Sequence, residues 1–170
     1  HELQFEQAGH YILNYQLNKN NRTFRVEAYY KDYNALVKYD SLYSPVRATY
    51  NNSGQGYARG IDVFWRDKSF SNIDYWISYS YIDTRRNYLD YTERPTPSFV
   101  ADHNLSVGYK HFIPGISTQV GATYKFASGR PYYNPANPDF MSDRTKVYND
   151  LSLNLSYLTS IGDHFTIVHF

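Results

Sequence analysis

Every second side chain in much of this sequence is apolar or aromatic, in runs of about a dozen residues broken by turns and loops. The clearest run is Ile73 to Tyr81. Strand side chains point alternately to opposite faces, so Ile73, Tyr75, Ile77, Tyr79 and Tyr81 form one surface, and Asp74, Ser78 and Ser80 fall on the other. The pattern recurs in Tyr11, Leu13, Tyr15 and Leu17 against Asn14 and Gln16, and in Leu151, Leu153, Leu155 and Tyr157 against Ser152, Asn154 and Ser156. Another copy sets Ile116, Val120, Ala122, Tyr124 and Phe126 against Ser117, Gln119, Thr123 and Lys125. No helical period competes with it. The fold class this predicts is all-β: an antiparallel up-and-down meander with one apolar and one polar face, forming part of a transmembrane β-barrel.

Composition narrows what those faces meet. Tyr dominates the aromatic residues, with 20 Tyr against 10 Phe and 2 Trp, an excess that suits rings placed at a water boundary. Mean hydropathy is −0.64, and the longest stretch without a formal charge, Phe112 to Tyr124, falls well short of the ~20 residues a spanning helix needs. A barrel strand crosses a bilayer in ~9 to 11 residues and pairs its backbone with its neighbours, so a polar average is compatible with spanning. A net charge of +1 without blocks of like charge gives no nucleic-acid footprint, and the absence of Cys excludes disulfide and thiolate chemistry. At 170 residues without a linker-like stretch, the chain reads as one unit, and its start at His1 without a signal peptide reads as mature, trimmed or a fragment.

Eight strands are expected near residues 6–17, 22–38, 56–66, 73–86, 102–112, 116–127, 147–158 and 164–170. The connections between them alternate in length. Residues 18–21, 67–72, 113–115 and 159–163 are short, whereas 39–55, 87–101 and 128–146 are long. Outer-membrane barrels combine short periplasmic turns with long extracellular loops in this way. If the short turns are periplasmic, both chain ends lie on the extracellular side. A complete barrel has both ends in the periplasm, so the parity predicts at least one further strand beyond each end.

Three segments carry a family resemblance. Gly56-Tyr57-Ala58-Arg59-Gly60-Ile61-Asp62-Val63 resembles the Gly-x-acidic strand start of TonB-dependent outer-membrane receptors. Arg94-Pro95 with Ala101-Asp102-His103-Asn104-Leu105 resembles their loop-to-strand transition, and Gly129-Arg130-Pro131-Tyr132 resembles a segment from the C-terminal part of their barrels. The resemblance covers essentially the whole chain. It implies a roughly 22-stranded barrel of which residues 1–170 supply about eight strands. It also implies a separate plug domain, a TonB box and closing strands outside this sequence, and a Gram-negative outer-membrane location. The activity implied is uptake of a scarce nutrient, a siderophore, vitamin or oligosaccharide. The partners implied are outer-membrane lipid, the receptor's own plug and remaining strands, the TonB complex and the substrate.

Candidate ligand-binding residues lie in the long connections, where Tyr and Arg mix ring faces with fixed positive charge: Tyr43 and Arg47; Tyr88, Tyr91 and Arg94; and Arg130, Tyr132 and Tyr133. Tyr39, Tyr50 and Tyr57 accompany the first set. The polar faces, with Arg25, Glu27, Asp62, Arg66, Asp74, Lys125 and Asp150, are expected to line the lumen. Asp102, His103 and Ser106 invite a hydrolase reading, but alternation sends His103 to the face opposite the other two, so the chain does not read as an enzyme. His103 and His111, ~27 Å apart along one strand, do not share a metal, and neither metal nor cofactor is expected. Two rivals remain open: a complete eight-stranded outer-membrane anchor or adhesin, and a soluble β-barrel or sandwich binding carbohydrate.

Overall fold

The computed structural model describes residues 3–39, 50–87, 89–91 and 93–170. Eight strands form one antiparallel sheet: β1 (Gln7–Lys19), β2 (Arg22–Tyr39), β3 (Tyr50–Asp67), β4 (Ile73–Asn87), β5 (His103–Ile113), β6 (Thr118–Ala127), β9 (Tyr148–Ile161) and β10 (His164–His169). Two short strands, β7 (Pro131–Tyr132) and β8 (Asp143–Arg144), pair with each other in the connection between β6 and β9. The sheet order follows the chain, and β1 and β10 are its edges.

The short connections are built from residues that accept left-handed backbone. Asn20 and Asn21, both at positive φ (51° and 60°), close β1 onto β2 with Lys19 opposite Arg22, which matches the twist of a two-residue hairpin. Gly162 (φ 60°) opens the equally tight β9–β10 turn. Between β5 and β6, Pro114–Ile116 form one 3₁₀ turn ended by Ser117 at φ 48°. Ile116 and Ser117 therefore precede β6, not begin it as the alternation predicted. Apolar spacing does not register a turn whose own residues are apolar.

Register carries each face across the whole sheet. One ladder row reads Tyr15, Val26, Val63, Tyr79, Leu105 and Phe126, and the next reads Leu17, Phe24, Trp65, Ile77, Val107, Tyr124 and Leu151. The opposite face has the rows Glu27, Asp62, Ser80, Asn104, Ala127 and Tyr148, and Arg25, Phe64, Ser78, Ser106, Lys125 and Asp150. The apolar face is uncovered: Leu13 is 76% exposed and Leu153 71%. A sandwich would bury these residues under a second sheet, and the only other sheet among the described residues, the two-stranded β7–β8 hairpin, leaves them exposed. Rings flank the aliphatic middle of that face. Tyr15, Phe24 and Trp65 adjoin one another toward the short turns (centroids 6.5 and 6.3 Å apart), and Tyr11 meets Tyr30 at 6.4 Å toward the long connections. An apolar band between two aromatic girdles is the exterior of a transmembrane barrel wall.

The buried apolar residues, Leu36, Ala58, Val100, Ala101 and Met141, belong to the loop end of the sheet or to the long connections. Ala58 and Thr84, register partners, are 2% and 1% exposed, and the Thr84 hydroxyl donates to the Tyr57 carbonyl at 2.6 Å. In β2 the register shifts between Tyr33 and Leu36, where Ala35 stands at φ 56°, so the alternation breaks and Leu36 becomes buried.

Candidate functional site

The long connections are more structured than their sequence implies. The first is shorter than expected, because β2 runs to Tyr39 and β3 starts at Tyr50; these two residues pair with rings 6.1 Å apart. Tyr57 lies within β3 on the outward face, opposite Arg85, and is not a loop residue. Tyr43, Arg47 and Tyr88 lie outside the described residues. The second connection returns along β4: the Arg86 amide donates to the Pro95 carbonyl at 3.2 Å and the Ile82 amide to the Asp102 carbonyl at 2.9 Å. The third holds the β7–β8 hairpin, tied to the start of β5 by an Arg144–Asp102 ion pair at 2.8 Å, with Arg144 also donating to the Gly129 carbonyl at 3.2 Å.

The remaining candidates separate into distinct places. Tyr91 and Tyr133 come together through Phe140, whose ring lies 5.1 Å edge-on from Tyr91 and 5.6 Å from Tyr133. With Asp90 and Met141 they line a cleft of about 350 Å³ that joins the second and third connections. Phe140 and Met141 carried no sequence signal, because Asn134 to Asp143 reads as a polar, proline-rich loop. Arg94 donates to the Gln55 side-chain carbonyl at 2.7 Å and so braces β3. Tyr132 is exposed on β7. Arg130 turns to the polar face, at a second cleft of about 340 Å³ with Lys125, Ser78, Ser80, Asn104 and Ser106.

Asp143 organises the third connection. Its carboxylate accepts from the Asn134 side-chain amide and, at 2.7 Å, from that of Asn137. These bonds, Asn134 first, hold the carboxyl below its ordinary pKa. A depressed carboxyl contributes stability above its unfolded pKa and loses it as pH falls through the folded one. The hairpin should therefore keep its protection through the mildly acidic range and loosen only below the usual carboxylate range. Hydrogen exchange across residues 131–145 at a series of pH values checks this, and Asp143→Asn should show the loosened pattern already at neutral pH.

The polar face forms a ladder of short contacts. Arg66 grips Asp74 with two bonds of 2.9 and 2.7 Å, the Asn14 amide donates to Glu27 at 3.0 Å, and Ser80 donates to Asp62. Arg25 lies over the Phe64 ring at 5.7 Å and Arg86 over Tyr33 at 4.3 Å. The seven charged residues expected to share this face do share it by register. Asp102, His103 and Ser106 stay apart: Asp102 pairs with Arg144, the His103 ring bonds the Tyr79 hydroxyl at 2.8 Å on the outward face, and Ser106 lines the polar cleft.

No curated protein matches the chain. A family model described as TonB dependent receptor-like, beta-barrel matches residues 9–168, from within β1 to within β10, and the chain belongs to that family of outer-membrane receptor barrels.

Proposed function

We propose that this chain forms part of the barrel wall of a TonB-dependent receptor in a Gram-negative outer membrane, importing a scarce nutrient such as a siderophore, vitamin or oligosaccharide. The observation that carries this reading is the division of the sheet into an uncovered apolar face and a continuous polar ladder, which suits lipid on one side and an aqueous lumen on the other. The unpaired edges of β1 and β10 support a larger closed barrel, since lipid satisfies no backbone N–H or C=O group. Further strands would pair there, a plug domain would fill the lumen against the charged ladder, and the TonB complex would drive transport through that plug. The long connections would face outside, with Tyr91, Phe140 and Tyr133 offering ring faces to the arriving substrate.

Replacing these three rings together by Ala should lower uptake by the full-length receptor about tenfold, the loss of ~1.4 kcal/mol of ring contact. Heat-modifiable migration of the barrel should not change. Unaltered uptake would reduce the cluster to loop packing. A single Cys at Gly115, which stands in open space, should resist impermeant thiol reagents on intact cells, whereas one at Asn137 should react. The opposite labelling would invert the topology.

A further inference from the structure

The cleft on the polar face has a composition that the structural ladder does not require. Its floor is four small hydrogen-bonding side chains from adjacent strands: Ser78 and Ser80 on β4, and Asn104 and Ser106 on β5, in register as Ser78 opposite Ser106 and Ser80 opposite Asn104. Two cations close it, Lys125 from β6 and Arg130 from the start of the third connection. Neither makes an ion pair among the described residues. Lys125 stands opposite Asp150 in register, yet Asp150 accepts from the Ser152 hydroxyl at 3.0 Å and makes no ion pair with the amine. Asp62 accepts from Ser80, and Asp102 pairs with Arg144. The cleft therefore sets hydroxyl and amide groups beside Ala127 and Tyr148, with two cations that make no ion pair among the described residues. Its volume of about 340 Å³ lies in the range of small-molecule sites.

We infer that this cleft is a lumenal subsite for an acidic saccharide, Lys125 and Arg130 binding its carboxylate while Ser78 and Ser106 hydrogen-bond its ring hydroxyls and Ser80 and Asn104, which donate to Asp62 and to the Ala101 carbonyl, offer their oxygens as acceptors. The chemistry separates this ligand from its neighbours. A bare oxyanion would use the two cations and leave the floor idle, and a neutral sugar would use the floor and leave two charges unpaired. A wholly apolar ligand would leave the two cations and the four polar side chains without partners. Arg supplies a planar fork matched to a carboxylate and Lys a mobile point charge. The position suits a station just inside the mouth, because Asn104 begins near the first residue of β5 and Lys125 lies near the last of β6.

The inference rests on the receptor reading and names its substrate class, so the test keeps the two apart. The full-length receptor, purified in detergent, is titrated calorimetrically with digalacturonate, with its neutral methyl diester and with inorganic phosphate. Digalacturonate should bind about tenfold or more tightly than the diester, the difference between charge-assisted and neutral hydrogen bonds. Lys125→Gln with Arg130→Gln should abolish that preference, and Ser78→Ala with Ser106→Ala should weaken digalacturonate and leave phosphate unchanged. Equal binding of acid and diester, no binding of either, or phosphate binding as tightly as digalacturonate would each overturn the assignment. The receptor reading is checked separately on the same variants, by heat-modifiable migration and by surface labelling at Asn137. Normal assembly and labelling with no acid preference would overturn the subsite alone.

Discussion

Arginine in place of Leu153 or Ile77 should destabilise the assembled barrel by about 2–4 kcal/mol, while arginine at Ser152, one residue away on β9, should cost far less. Leu153 and Ile77 lie on the uncovered apolar face, Leu153 toward the middle of β9 and Ile77 in the row of Phe24 and Trp65, where lipid would have to accommodate a guanidinium. Ser152 lies on the opposite face beside Asp150, whose carboxylate already accepts from its hydroxyl at 3.0 Å, so an arginine there gains a charge partner and water. Adjacent positions with opposite outcomes isolate the face, since strand propensity and distance from the membrane boundary are nearly the same. Reversible urea unfolding of the full-length protein in lipid measures both changes. Equal tolerance at the two positions would remove the lipid-facing assignment.

Valine at Gly108 should destabilise the barrel by about 1–3 kcal/mol, although strand propensity alone favours valine over glycine by up to ~1 kcal/mol. A Cβ at Gly108 would overlap the Trp76 indole, which lies across the β5 backbone from its register partner position on β4. Sterics outweigh propensity here, because a Cβ at Gly108 would fall within 2.3–2.8 Å of three indole atoms, so the ring or the strand must shift. Trp76→Ser should therefore rescue Gly108→Val, and a double-mutant cycle should show a coupling of about 1 kcal/mol or more. Alanine at Gly115, where a new Cβ meets nothing within 4 Å, provides the neutral control. A stabilised Gly108→Val would show that the ring moves freely and that the glycine is incidental.

The same pair shows where sequence reading stops. The alternation from Ile73 to Tyr81 fixes which side chains share a face, because a strand has a period of two whatever surrounds it. It also makes legible from residue order that the seven charges share one face, whereas that the apolar face is uncovered shows only in the sheet itself. Trp76 goes to the polar face by that rule, but its reason for being there is Gly108, 32 positions away. That partnership exists only once β4 and β5 have a register.

The candidate site divides along the same line. That the long connections would hold the Tyr and Arg set was readable from their spacing. That Tyr91 and Tyr133 meet while Tyr132 points away was not, because both contacts run through Phe140 in a segment whose polar, proline-rich composition resembles an unstructured loop. Arg130 and Arg94 carry the same side chain and sit in similar loops. One reaches the polar-face cleft beside Lys125, and the other braces Gln55. Local sequence determines the face, the turn and the charge of each residue here. Which residues from distant connections share a cavity depends on how the β7–β8 hairpin folds back and anchors through Arg144 to Asp102, a long-range pairing that no local period encodes.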